Sequence, residues 1–285
     1  MKQLDTLIED IYSSIEPLCQ GESLNISDEE LDAFVESMKQ AIVSWARPSK
    51  RDSNFNVRMS NVGRPLRQLW YASKSEVKNV VNPPTMIKFL YGHLLEEVLL
   101  MLVRASGHTV TDEQKEIELN GIKGHMDCKI NGEVVDVKTA SSFAFRKFKY
   151  GSLAEDDPFG YLAQLAGYEE AEGTEEGGFL VINKETGELC LHRPEDLDKP
   201  NAGIRIKNID KVLKRATPPE ELCYEPVAEG TKGNMRIHKN CSYCAFKFKC
   251  FKDVNDGEGL RGFKYSKGVT YFTKLVSIPK VEEVL

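Results

Sequence analysis

The chain has 285 residues, with 44 acidic and 38 basic side chains, a net charge of −6, and 41% hydrophobic residues. That balance excludes a protein coated in basic surface, and no apolar run is long enough to span a bilayer. The acidic, amphipathic start "MKQLDTLIEDIYSSIEPL" is unlike a secretory signal or an Arg-rich transit peptide. Seven scattered cysteines in a chain this long point to a reducing, cytoplasmic setting, not to a disulfide framework.

Charge is uneven. The first 45 residues are acidic, whereas 47–71, 143–150 and much of 232–252 are basic. Basic tracts in an acidic chain suit a groove that grips a polyanion, although each also reads as an ordinary solvated face.

In chain order, helices are expected over 2–18 and 28–46, the second opened by a Ser27/Glu30 capping box. A polar linker runs to about residue 60, and a short helix starts after Pro65. Prolines before residue 85 and Gly107 bracket a long, largely buried helix over 83–107. From 109 to 140 the apolar period changes to two, predicting strands "HTVTDEQKEIELNG", "KGHMDCKI" and "EVVDVKTA". "DPFGYLAQLAGYEEAEG" returns to helix, "GGFLVIN" and "ELCLHR" form two more strands, 203–215 is helical, and the tail from 217 is loop-rich. The expected architecture is a mixed α/β core (58–216) with a helical extension and linker (1–57) and a cysteine-containing tail (217–285).

"GHMDCKINGEVVDVKTA" (124–140) carries the chemistry. Asn131-Gly132 is a strong type I′ hairpin signal, because both turn positions need positive φ. Ile130 then pairs with Glu133, which brings Asp127 opposite Asp136 and His125 opposite Lys138, with Met126, Cys128, Val135 and Val137 on the inward face. Like charges held opposite each other destabilise a strand pair unless a proton or cation lies between them. Carboxylate oxygens suit a hard divalent ion, Mg²⁺ or Mn²⁺. A solvated hairpin face, its repulsion softened by Lys138, accounts for the same residues.

Further motifs add to this pair. "GHMD…EVVDVKT" resembles the D…(D/E)xK core of the PD-(D/E)xK nucleases. "QLAGY" (Gln164 to Tyr168) resembles the Q-x-x-x-Y helix of their RecB-like branch, and "YGHLLEE" supplies Glu96 where that branch has an upstream His or Glu. The resemblance covers roughly residues 58–252, with the motifs in the expected order. It implies a restriction-endonuclease-like fold with Glu96, Asp127, Asp136 and the Val137 carbonyl on the metal and Lys138 as the catalytic lysine. Gln164 and Tyr168, one turn apart, would reach one DNA strand, although a tyrosine there also reads simply as core. His93, one turn before Glu96, is a second candidate ligand. Phosphate contacts are expected from Arg146 and Lys147 in a loop after the lysine, and from Lys184 at a strand end. Arg64 and Arg67, beside Trp70 and Tyr71, suit a single strand or frayed end, or else plain packing.

"NCSYCAFKFKC" sets Cys241, Cys244 and Cys250 in a C-x₂-C-x₅-C pattern. It resembles the C-terminal iron–sulfur staple of AddB-type helicase–nucleases and CRISPR-adaptation nucleases. Those have an upstream cysteine where this chain has Pro65. Cys19, Cys223 or His238 could supply a fourth ligand, and a 4Fe–4S cluster, Zn²⁺ and free thiols all stay open.

The resemblance implies an Mg²⁺- or Mn²⁺-dependent exonuclease degrading DNA from ends, in recombination, repair or replication, and phage-encoded relatives extend the expected location to a host cytoplasm. An endonuclease using the same site and a non-catalytic DNA-end-binding protein are the alternatives. A ring-shaped homo-oligomer would confer processivity, but no segment specifies its interface.

Overall fold

Leu4, Leu7 and Ile11, expected in a separate extension, are among the most buried side chains of the protein. The computed structural model describes residues 2–48, 55–75 and 81–285, so part of the 47–71 basic tract lies outside the described residues. The helical first half contains α1 (Leu7–Ile15), α2 (Asp28–Ala46), α3 (Leu66–Ser73) and α4 (Pro83–Ala105). Five strands follow: β1 (Val110–Thr111), β2 (Glu116–Leu119), β3 (Ile122–His125), β4 (Cys128–Ile130) and β5 (Glu133–Ala140). After α5 (Ser142–Lys149) and α6 (Tyr161–Glu172) come β6 (Gly178–Asn183), β7 (Leu189–His192) and α7 (Ala202–Leu213). The tail holds β8 (Val227–Glu229), β9 (Asn234–Arg236), α8 (Lys239–Ser242), α9 (Lys247–Cys250), β10 (Arg261–Tyr265) and β11 (Gly268–Lys274).

The chain divides into two compact units, Met1–Gly63 with Val80–Asn208, and Arg64–Asn79 with Ile209–Leu285. These boundaries replace the expected split at 57 and 216. The physical reason for the first change is burial: Leu4, Leu7 and Ile11 share one core with Leu99, Leu100 and Val103 of α4 and with Cys128, Ile130, Val135 and Leu180 of the sheet. Each fully buried aliphatic side chain contributes about 1.5–3 kcal/mol, so α1 is an integral part of the core.

The first unit is mixed α/β, as expected, around a five-stranded sheet of order β1-β4-β5-β6-β7. Among the described residues only β5 and β6 run parallel, and the α5–α6 segment supplies the crossover that parallel neighbours require. Both faces of this pair are covered. Val135, Val137 and Leu180 face α1 and α4, while Phe179, on the opposite face, meets Phe148 of α5 and Tyr161 of α6. Ser27 and Glu30 form the predicted capping box. The expectation of a largely buried α4 holds for its second half only, since Ile87, Phe89 and Tyr91 are exposed.

The second unit departs most from expectation. In place of a loop-rich tail it has a four-stranded sheet of order β10-β11-β9-β8. Tyr265 pairs with Gly268 across a two-residue link. The alternating, aromatic-rich "RGFKY…GVTYFTK" is a hairpin signal that the sequence already contains.

Candidate active site

The hairpin register is the predicted one from the turn as far as Cys128. Ile130 pairs with Glu133 and Cys128 with Val135, and both Asn131 (φ 54°) and Gly132 (φ 92°) adopt positive φ. One step further, Asp127 stands beside Asp136 but outside the ladder, and its carboxylate accepts a hydrogen bond from the Val137 N–H at 2.7 Å. The predicted strand over 123–130 breaks at this point. His125 therefore does not face Lys138 as expected; it pairs with Glu116 in a separate β2–β3 hairpin. A second Asn-Gly pair, Asn120-Gly121, turns that hairpin with positive φ at both residues, a local signal of the same kind as Asn131-Gly132. The break is held by Met126 N–H donating to the Lys115 carbonyl at 3.1 Å and Gln114 N–H donating to the Asp127 carbonyl at 2.9 Å.

Asp136 and Lys138 sit on the β5 face opposite Val135 and Val137. Asp136 is 1% exposed; among the described residues its only partner is the Lys138 ammonium, in ion contact with Oδ2, and its Oδ1 accepts no hydrogen bond. Burial by itself would lower the Lys138 pKa, but Asp136 and Asp127 outweigh it and hold the ammonium well above its ordinary value. Burial, then Asp136, pushes the Asp127 carboxyl up to about 7, against the opposing pull of Lys138 and the Val137 N–H. Glu96, on α4, is pushed up to about 8 by burial and then by Asp127, Glu97 and Asp136. Its Oε1 accepts a hydrogen bond from Gln114 at 2.7 Å. The predicted trio of carboxylates is thus close together: Asp136 resists the ionisation of Asp127, and both resist that of Glu96. His93 is exposed, one turn earlier on α4.

Donor chemistry favours a hard divalent cation. A buried carboxylate held by nothing but a lysine ammonium among the described residues, backed by two more acidic side chains, offers oxygen ligands of the kind Mg²⁺ and Mn²⁺ take. The cage is not preassembled: among the described residues, no three His, Cys, Asp or Glu side chains converge closely enough to hold an ion. Glu96 is engaged by Gln114 and Asp127 by the Val137 N–H.

Gln164 and Tyr168 lie on one face of α6, as predicted, but inside the protein. Gln164 Nε2 donates to the Tyr168 hydroxyl at 2.7 Å, and that hydroxyl donates to the His125 carbonyl at 2.8 Å. Tyr168 is 2% exposed, so the expectation that this pair reaches a DNA strand is corrected. The two residues fix the end of β3, two residues before Asp127. Gly167 and Gly124 leave room for Met59, which any β-carbon at either glycine would meet.

The predicted phosphate contacts divide. The segment after the lysine is helix α5, not a loop, capped by the Ser141 hydroxyl. Lys147 is committed to the Asp156 carbonyl and carboxylate, both at 2.7 Å, while Arg146 and Lys184 are exposed. Arg64 and Arg67 belong to the second unit. Arg67 is engaged there by the Pro219 carbonyl, the Glu220 carbonyl at 3.2 Å and the Cys250 Sγ at 3.1 Å. Trp70 is buried and donates to the Arg215 carbonyl at 3.0 Å. Arg67 and Trp70 therefore pack the second unit, which corrects the DNA-contact reading; their polar atoms are satisfied internally.

Cys241, Cys244 and Cys250 share the second unit with Cys223, one of the candidate fourth ligands. The Cys241 thiol is pushed up to about 12 by burial, then by Cys223, Cys244 and Cys250. Cys223 is pushed up to about 11 by burial and by Cys250. Four thiols are gathered electrostatically, again without a finished cage among the described residues. Tyr161, unremarked in the sequence, lies with its ring centroid 5.0 Å from the Lys138 Nζ.

No protein-family model and no curated protein matches this chain. Among solved structures it is similar to the protein SSO0001, at 16% identity over 79% of this chain and 98% of that one, with a TM-score of 0.41. It is also similar to an alkaline exonuclease from Laribacter hongkongensis, at 13% identity over 60% and 94% with a TM-score of 0.37. A phage-related exonuclease from Haemophilus somnus 129PT gives 11% identity over 55% and 93%, with a TM-score of 0.39. Likenesses of this size leave the functional reading to the residues of the site.

Proposed function

We propose that the chain is a metal-dependent deoxyribonuclease of the PD-(D/E)xK superfamily that degrades DNA from its ends. One observation carries this reading: Asp136, buried, with no hydrogen bond on Oδ1 among the described residues, beside Asp127 and with Oδ2 in ion contact with Lys138. A buried carboxylate in so costly a state is characteristic of sites where its charge is used.

Glu96, Asp127 and Asp136, with the Val137 carbonyl, would hold Mg²⁺ or Mn²⁺; His93 is the weaker candidate because it is exposed. Such an ion, when bound, supplies Lewis-acid stabilisation of charge on a phosphodiester. The chain's own residues do the rest. Lys138 stays protonated at neutral pH, so it acts as a fixed positive charge for a phosphate oxygen and not as a proton acceptor. Gln164 and Tyr168 are positioning residues that fix the backbone leading into Asp127. Arg146 and Lys184, both exposed, would meet backbone phosphates.

Digestion of an end-labelled linear duplex, with and without Mg²⁺, tests the reading. Wild type releases product only with the ion, and Asp136→Ala lowers the rate about a hundredfold or more. A metal-independent rate, or an unaffected variant, removes the reading. A covalently closed circle that is cut would replace the exonuclease with an endonuclease.

For the second unit we propose that Cys223, Cys241, Cys244 and Cys250 hold a 4Fe–4S cluster or Zn²⁺, the soft-metal choices for thiolates. Metal analysis and the visible spectrum of anaerobically purified protein decide between them. Absence of both iron and zinc means free thiols.

A further inference from the structure

Phe159 is 52% exposed. A single exposed phenylalanine is ordinary; its mounting is not. Its ring stacks on Tyr161, centroids 5.4 Å apart and planes 25° from parallel. Tyr161 in turn lies under the Lys138 ammonium, the charge assigned above to a phosphate oxygen. An exposed ring, a half-buried ring and the lysine thus form one continuous stack.

The backbone beneath it is held on both sides. Asp157 Oδ1 accepts from the Gly160 N–H at 2.9 Å, and its Oδ2 accepts from the Leu162 N–H at 3.0 Å. Gly160 has φ 76° and abuts the Gly63 backbone so closely that neither residue could carry a β-carbon. Tyr161 is braced from behind by Phe148 and Phe179. An aromatic surface held this firmly loses little freedom when a second ring settles on it.

We propose that Phe159, backed by Tyr161, is the stacking platform for the nucleobase next to the scissile phosphate of a single-stranded DNA end. The inference rests on the nuclease reading and deepens it. Every base offers a π-face, so such a platform binds without sequence preference. Phe159 stands one ring away from Lys138, so a base stacked on it would belong to a nucleotide adjoining the phosphate held by the lysine. The platform also predicts that a frayed or single-stranded end is preferred to a fully stacked one, because a paired terminal base already has a neighbour.

The test is fluorescence anisotropy without divalent cation, using a fluorescein-labelled oligothymidylate and a strand of equal length with abasic residues at its end. Wild type is expected to bind the base-bearing strand about tenfold more tightly. Phe159→Ala should abolish that difference while leaving abasic binding unchanged, and Phe159→Trp should keep or enlarge it. Thermal melts of both variants report whether they fold. A folded Phe159→Ala that retains the tenfold preference overturns the platform, as does a wild type that shows none. If wild type still cleaves with Mg²⁺ in either case, the nuclease reading stands alone; if wild type never cleaves, both fall together.

Discussion

Lys138 and the three carboxylates are mutually dependent. Removing one member of a buried ion pair leaves an uncompensated charge, at a cost of about 3–5 kcal/mol. Lys138→Met should therefore lower stability by about that much in urea titrations at pH 8. The loss should shrink at pH 5, where Glu96 and Asp127 hold their protons and add no further negative charge. Glu96 and Asp127 set a further pH dependence. Their carboxyls are raised from 4.5 to about 8 and from 3.8 to about 7. Raised carboxyls favour the folded state while they hold their protons there. Their contribution is full below about pH 4 and is lost as pH climbs through 7 and 8. A divalent ion must displace the same protons, so its affinity rises over that range. Mg²⁺ should accordingly raise the melting temperature more at pH 9 than at pH 6. An equal shift at both pH values would exclude these two groups as ligands.

Element by element, the site depends on where segments end. Asn131-Gly132 sets the β4–β5 register because the dihedral preference of an Asn-Gly turn is local. The departure of the chain after Asp127 is not local, since it follows from partners on β2, α6 and the Met59 turn. The start of α6 is another such junction. Gly160→Ala forces a methyl both into left-handed backbone and against Gly63. About 1–2 kcal/mol for the conformation and about 1–3 for the overlap predict a loss of roughly 2–5 kcal/mol. Chemical denaturation measures it, and a loss below about 1 kcal/mol would mean that the Gly63 contact is absent.

Over the whole molecule, the N-terminal segment determines whether the first unit holds together. Leu7 is fully buried among residues of α4 and the sheet, so Leu7→Ala should cost about 2–5 kcal/mol. A near-neutral result would return residues 1–57 to the status of a detachable extension. The second unit has a small core of its own around Ile237, Cys241, Phe251 and Leu260. A metal bound by the neighbouring thiols would stabilise it further.

What the sequence determined by itself was local or periodic: the hairpin turn, the capping box, the helices α1, α2, α4, α6 and α7 with the strands β4 to β7, and which acidic and basic residues stand together on β5. These follow from dihedral preference and from the alternation of side chains along a strand, and both act over a few residues. Tertiary structure alone decided which polar groups stay available. Arg67 and Lys147 look like DNA contacts until Pro219, Cys250 and Asp156 engage them, and Tyr168 looks outward until its hydroxyl meets the His125 carbonyl. Cys223 stands out from Cys19 and His238, and Tyr161 enters the account, only when distant segments bring them beside the other cysteines and Lys138. A hydrogen bond between residues far apart in the chain leaves no trace in local pattern, so such commitments become visible only once the chain has folded.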